Sequence, residues 1–463
     1  MLYLGLLLTI VTGFVFVHCF SVRFTPAEKI GLSFLLGLTL QVFLMLFIDQ
    51  AGIPFTPFSL LTGQALMLSG LCAFVYFYRK DMLDSLKAPV WLSSLRGVNM
   101  VWLLLVAAII YVEYMNISKC LYFPVTDRDS LAGFETIGYI AAREHTFKGI
   151  SIFDDTYIEG IHGPASYITY APLVQLAYAY VYVLGAESSK VINGLVYLFF
   201  LVAFYGATSR VAGKTGAAAA TLFMLLTPEM LSFSSLSMTN VIHAVFASLS
   251  VIYMALWLGG KERDKKDLVM CGALLGANIL CRTEGIVFTG AVAIVLFIDA
   301  VRRKEYKSLI PPALLAFVPL LCWTLYKAIN GMYSEGIAIT HPFWDAGKAG
   351  TILTHIWRLF TNTIFYGLSF VAFLIAFLAN LWFMIRRGDS IYILAGTVLS
   401  MLLYIALLYQ IDYKWDTMEN VLLYSAKRFM FCFIPLLWYF TFTNHAVRTV
   451  FIRLERLLLI DKA

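Results

Sequence analysis

Residues 99–134, NMVWLLLVAAIIYVEYMNISKCLYFPVTDRDSLAGF, hold the two features that organise this chain. The first half is apolar for about twenty residues, enough to cross a ~30 Å hydrocarbon core as a helix. The second half is acidic, with Asp127 and Asp129 spaced as D-x-D just beyond the apolar run. Outward from this stretch the same alternation continues, with apolar runs recurring from residue 2 to residue 442. The 463 residues are 60% hydrophobic and 13% charged, where soluble domains average about 45–50% and about 25%. Mean hydropathy is +0.81. These values describe an all-α polytopic membrane protein and exclude a disordered chain, a secreted domain and a water-soluble enzyme.

The net charge of +6 comes from 34 Lys+Arg against 28 Asp+Glu. The basic residues sit in short loops between apolar runs rather than on one face, which fits membrane topology and not nucleic-acid binding. Arg23 and Lys29 mark one such loop, and Arg79, Lys80, Lys87 and Arg96 another; residues 49–56 between them carry neither Lys nor Arg. The first four runs, 1–20, 29–48, 57–78 and 99–118, therefore alternate with the N-terminus outside. Residues 119–167 then form a large outer loop. Downstream, the basic groups all reach the inner side only if run 168–185 does not cross. That run is rich in tyrosine and contains Pro172 and Gln175, which suits an interfacial or re-entrant helix. The expectation is about thirteen transmembrane helices, with the C-terminus inside. Runs 189–209, 215–230, 268–282, 285–301, 360–385 and 427–446 are among the later spans.

Residues 1–98 read as an appended set of transmembrane helices, 99–330 as the main module and 331–463 as a C-terminal set with outer loop 330–357. The first apolar run lacks a basic leader and a small-residue cleavage site, as a retained helix would. The seven cysteines are odd in number and form no C-x-x-C, so they read as apolar fillers.

Within 119–167, Leu131, Phe134, Ile137 and Ala141 recur at helical spacing, which predicts an amphipathic helix lying on the membrane surface. A carboxylate at its start is either an N-cap or a chemical group. In the second case it acts as general base on a hydroxyl or holds a divalent cation such as Mg or Mn that binds phosphate. His162, Glu335 and His341 are outer-loop candidates for substrate contact. Arg282 and Glu284 lie between two apolar runs, either as a structural pair or as functional groups. Lys427 and Arg428 open the last span, where an arginine can bind a lipid phosphate bidentately or anchor the helix. There is no HExxH, Walker A loop or GxSxG, so zinc proteolysis, ATP-driven transport and serine hydrolysis lack support.

The order of short motifs is distinctive: D-x-D at 127–129, YAPL at 170–173, SRVAGK at 209–214, TPEM at 227–230 and RTEG at 282–285. It resembles the GT-C superfamily of membrane glycosyltransferases, which includes the protein O-mannosyltransferases and the aminoarabinose transferase of lipid A. The resemblance implies a GT-C fold and a sugar donor carried on a polyprenyl phosphate. It makes Asp129 the key carboxylate, with Asp127 second. Tyr170 and Pro172 match a Tyr-Pro-Pro-Leu segment. Glu284 and Gly285 match a Lys-x-Glu-Gly turn in which Arg282 replaces the lysine. Arg428, with Lys427 beside it, matches a position near the donor phosphate, although Phe429 follows where the family has tyrosine.

The function this implies is inverting transfer of a hexose or pentose to a lipid, glycan or protein acceptor at the periplasmic face of a bacterial inner membrane. A flippase for a lipid-linked sugar and a polysaccharide polymerase or ligase are the alternatives. Against a transporter stand the absence of pseudo-symmetric halves and of buried acids or bases in runs 57–78 and 390–410.

Overall fold

A computed structural model describes residues 1–20, 24–79, 99–153, 170–260, 263, 265–332, 338–340, 343–413 and 416–458. Helices α1 (Leu2–Phe20), α2 (Pro26–Gln50) and α3 (Pro57–Tyr78) open the bundle. The second and third start on a proline, and Thr25 with Glu28 closes a capping box at the start of α2, satisfying amide groups that the helix cannot. Helix α4 (Met100–Tyr122) begins on the Asn99 side chain and leads to a π turn at Ser130–Phe134 and the short α5 (Glu135–Glu144). After α6 (Leu173–Val183), α7 (Lys190–Leu225) and α8 (Pro228–Phe233) come α9 (Thr239–Gly259), α10 (Lys265–Cys281), α11 (Gly285–Arg303) and α12 (Ile310–Ile329).

The last third holds α13 (Ala346–Thr361), α14 (Thr363–Tyr366), α15 (Ser369–Arg387) and α16 (Ile391–Gln410). It closes with α17 (Met418–Met430), α18 (Ile434–Thr443) and α19 (His445–Leu458). Strands β1 (Ala338–Thr340) and β2 (Ile411–Tyr413) pair antiparallel, with Ile339 opposite Asp412, and tie two late loops together. The all-α polytopic class stands, with this ribbon as its small exception.

Among the described residues ten helices are long and apolar enough to span a membrane, or eleven if the bent pair Ser425–Thr443 and His445–Leu458 counts as one span. The expected thirteen exceed this for two physical reasons. Run 268–282 becomes α10, which has 17 residues and is short for a span. Runs 189–209 and 215–230 fuse into α7, whose only internal break is Gly213 at φ 75°, ψ 176°. Its two arms nevertheless run in opposite directions. Lys190 donates to the Lys119, Phe123 and Pro124 carbonyls at the end of α4, whereas Arg210 pairs with Glu28 at the start of α2. Past Gly213, Thr215 accepts from Asn99 at the start of α4, and Ser234 donates to Asn116 near its end. By length and apolarity the described residues hold ten or eleven spans, and the second arm and α10 are the two runs that the expectation counted in addition.

Two other expectations change. Helix α6 does not cross, but its tyrosines do not lie among headgroups either: Tyr178 and Tyr180 are fully buried. Asn193 and Gln64 accept from their hydroxyls at 2.7 and 3.0 Å, so protein partners take the place of interfacial water. Run 360–385 starts later, at Ser369, because Asn362 caps a new helix, α14, after α13. Span α4 also buries an acid. Glu113 is 3% exposed and, among the described residues, accepts from Asn116 at 3.3 and 3.4 Å.

Small residues let these helices touch backbone to backbone, as apolar helices in lipid favour. A Cβ on Gly37 of α2 would lie 2.1 Å from the Thr9 carbonyl oxygen of α1, and one on Gly31 2.2 Å from the Ala203 nitrogen of α7. Helix α2 thus sits wedged between α1 and α7.

Gly213 occupies backbone space essentially closed to other residues, so Gly213→Val should cost about 1–3 kcal/mol. Its new side chain would also start 2.3 Å from a Glu455 carboxylate oxygen. The unfolding temperature in detergent should drop, while Gly259→Ala, whose Cβ meets nothing within 4 Å, should leave it unchanged. A Gly213→Val protein as stable as wild type would mean that the two arms need no reversal there.

Candidate active site

The acidic stretch after α4 is fixed by its own backbone. Asp127 Oδ1 accepts from the Ser130 amide at 2.9 Å, and the Ser130 hydroxyl donates to the Ser237 carbonyl. Asp127 is therefore the capping residue of the D-x-D, and Asp129 makes no cap bond. Freed from the turn, the Asp129 carboxylate forms an ion pair with the Arg428 guanidinium from the last turn of α17. Both partners are partly exposed, at 31% and 23% of their side chains. Ser425 Oγ accepts a second bond from Arg428 at 3.2 Å, and Asn240 at the start of α9 donates to the Arg428 carbonyl.

Beside this pair lies a second one. Arg282 donates twice to Glu284, at 2.6 and 3.2 Å, and once to Thr239 Oγ1 at 3.2 Å. Phe429, next in chain to Arg428, lies beneath the Arg282 guanidinium at 5.7 Å from its ring centroid, a cation–π arrangement. Burial pushes the Glu284 carboxyl up, but the Arg282 guanidinium more than offsets this and holds it at about 2. The Tyr170 phenol, half-buried against the edge of Phe134, feels Arg282, Glu284, Asp129 and Arg428 together. Burial raises its pKa above the usual phenol range, so it stays a neutral hydroxyl.

A third pair completes the rim. Lys427 reaches Glu229 at 3.5 Å and lies over the Phe365 ring at 5.1 Å, while its carbonyl accepts from Tyr366. Six of the residues expected from sequence therefore meet at one end of the bundle: Asp129, Arg428, Arg282, Glu284, Tyr170 and Lys427. Asp127 stands beside them as a cap with its Oδ2 unpartnered. His162, Glu335 and His341 lie outside the described residues. Sequence reasoning missed Glu229, although it sits in the TPEM motif and is an ionisable group at the edge of an apolar run. Thr239, Asn240 and Ser425 carried no signal beyond polarity.

The two carboxylates of the D-x-D turn to different partners, an amide and a guanidinium. Among the described residues no three His, Cys, Asp or Glu side chains gather in a metal-binding group. Asp127 and Asp129 therefore do not converge on one point where they would hold a cation between them.

Residues 171–328 match the family model for dolichyl-phosphate-mannose-protein mannosyltransferase. That segment is of the GT-C superfamily. The family comprises membrane glycosyltransferases that use a polyprenyl-phosphate sugar donor. The GT-C segment begins beside Tyr170 and contains Glu229, Thr239, Asn240, Arg282 and Glu284. Asp129, Lys427, Arg428 and the first three helices lie outside it. No curated protein and no solved structure matches the chain.

Arg282→Met would leave Glu284, three-quarters buried, without its cation. Such a break costs on the order of 3 kcal/mol, visible as a lower unfolding temperature in detergent. The contribution of Glu284 in the wild type is complete above its ordinary pKa of 4.5 and is lost as pH falls toward 2, the sign expected when folding depresses a carboxylate's pKa. Unchanged stability of Arg282→Met at pH 7 would show that the pair does not hold α10 to α11.

Proposed function

We propose that this chain is an inverting membrane glycosyltransferase that moves a sugar from a polyprenyl phosphate to an acceptor hydroxyl at the end of the bundle bearing Asp129. The observation that carries this reading is the Asp129–Arg428 ion pair, which brings an acid and a cation 299 residues apart onto one site. A base and a phosphate-binding group are the two things this reaction needs side by side.

In the reaction, Asp129 takes the proton from the acceptor hydroxyl as its oxygen bonds to the anomeric carbon. The bond from that carbon to the phosphate oxygen breaks, and its electron pair leaves with the polyprenyl phosphate. Arg428 stabilises the negative charge that grows there, with Arg282 behind it. The polyprenyl tail stays in lipid, which accounts for a site at the mouth of an apolar bundle.

Sidedness follows from the opposite end. Arg210, Lys214, Arg263, Arg302, Arg303, Arg386, Arg387 and Arg448 lie away from the site, on loops and helix ends beside Glu28, Asp267, Asp299 and Asp389. By the positive-inside rule that end is cytoplasmic. The active face then opens to the outside, which is the periplasm of a bacterial inner membrane, with the N-terminus out and the C-terminus in. The acceptor is a lipid, a glycan or a protein with a free hydroxyl.

The same pair sets a competition, since Arg428 serves Asp129 until a phosphate arrives. Once the phosphate claims the guanidinium, the carboxylate is released to act as a base. Asp129→Asn should lower turnover by at least about 100-fold. It should also bind polyprenyl phosphate about tenfold more tightly, because a charge-assisted bond to Arg428 has been removed from competition. Liposome assays with radiolabelled polyprenyl-phosphate sugars and a binding titration with polyprenyl phosphate test the two effects. Wild-type turnover in Asp129→Asn would end the catalytic assignment. A labelled lipid that changes leaflet without any sugar transfer would make the chain a flippase.

A further inference from the structure

The second of the first three helices, α2, ends in a buried carboxylate that the proposed chemistry does not use. Asp49, in the last turn of α2, is 1% exposed. Its Oδ1 accepts from the Thr146 hydroxyl at 2.6 Å and the Phe147 amide at 3.1 Å. Its Oδ2 accepts from the Lys148 amide at 3.1 Å and from the Tyr326 hydroxyl of α12. All four donors are uncharged, so the side chain is held by hydrogen bonds rather than by a cation. One side chain thereby joins α2, the loop after α5 and the end of α12.

Neighbouring contacts reinforce the same loop. The Phe55 amide donates to the His145 carbonyl at 2.7 Å, and His145 Nδ1 bonds the Phe55 carbonyl at 2.8 Å. The Phe147 ring packs beside Trp323 and Tyr326. Further back, a Cβ on Gly138 of α5 would lie 2.7 Å from Tyr178 Cβ of α6, and Tyr180 of α6 is bonded to Gln64 of α3 and Thr9 of α1. Residues 1–78 make no hydrogen bond or ion pair with Asp129, Arg282, Glu284, Lys427 or Arg428 among the described residues. Their grip is on the far end of the arm that carries Asp129.

We infer that Asp49 is a positioning residue: it latches the loop at 146–148 so that the arm of residues 127–153 presents Asp129 to Arg428. The first three helices are the frame of that latch. This role rests on the proposed transfer reaction only for its effect on turnover. The latch itself is read separately, by how readily the arm opens.

The test uses the full-length protein in detergent with Asp49→Asn, which keeps the volume but turns one acceptor atom into a donor facing the Lys148 amide. Limited trypsin digestion at Arg143 and Lys148 should run about tenfold faster in this variant, because local opening sets the cleavage rate. In liposomes, kcat should fall about tenfold while the donor KM stays within about twofold, as expected when a catalytic group is displaced by a fraction of an ångström. Tyr326→Phe and Thr146→Val, which each remove one bond, should move both readouts in the same direction by less, and they serve if Asp49→Asn does not fold. Wild-type cleavage and kcat in Asp49→Asn, or in both milder variants, would overturn the latch. Faster cleavage in a protein whose wild type transfers no sugar would leave the latch standing and refute the reaction.

Discussion

An arginine withdrawn from water into an apolar bundle costs several kcal/mol unless a carboxylate meets it with good geometry. The tertiary structure of this chain is arranged around such meetings. At the end away from the site, Arg210 of α7 donates to both oxygens of Asp267 in α10 at 2.7 Å and to Glu28 in α2 at 3.1 Å. Tyr253 of α9 donates to the same Glu28 oxygen that Arg210 contacts, and the Thr25 amide donates to the other. Four helices share one buried charge network. At the other end, Arg282 with Glu284 and Arg428 with Asp129 play the corresponding part. The difference lies in the carboxylates: Glu28 and Asp267 are enclosed by protein, whereas Asp129 is 31% exposed, open enough for a ligand to enter.

That difference separates structure from chemistry. Glu28 is fully buried and bonded on both oxygens, so it has no capacity left for a substrate. Asp129 has one partner, and that partner is the group a phosphate would bind best. Arg282 is held by three bonds and a ring, which makes it a fixed charge in a low-dielectric wall, suited to stabilising a charge that appears during reaction. Lys427 and Glu229 sit further along the rim, with the loosest geometry of the three pairs. The charges within each of the three pairs oppose one another, and in the proposed reaction an incoming phosphate redistributes them.

The first three helices illustrate how such a site is kept in register without touching it. Gly13 and Gly37 bring α1 and α2 backbone to backbone, and Gly31 brings α2 against Ala203 of α7, where even one methyl group would collide with backbone. Close contact of this kind makes the module rigid and transmits its position to Asp49 and Phe55. Asp49 looks in the sequence like the ordinary polar end of an apolar run. Its importance lies in four partners drawn from residues 97 to 277 positions away. Glu113 was hidden for a similar reason, as a single acid inside a run that is otherwise continuous.

By itself the sequence determined the class of this protein and the inventory of its site. Hydropathy and the scarcity of charge require membrane helices, because backbone groups in hydrocarbon must be satisfied within each segment. The few ionisable residues at the ends of apolar runs, among them Asp129, Arg282, Glu284, Lys427 and Arg428, stood out for the same reason. Only the tertiary structure decided how they pair, that Asp127 caps the turn while Asp129 is left to face Arg428, and that the tyrosines of α6 find protein rather than water. The reversal between residues 190 and 225 was legible in the sequence as two runs parted by the basic SRVAGK stretch, and the tertiary structure fixed its place at Gly213, through a positive φ. Composition governs partition between water and lipid, which is a local property of each segment. Pairing depends on which segments come to lie side by side, and residues hundreds of positions apart supply those neighbours.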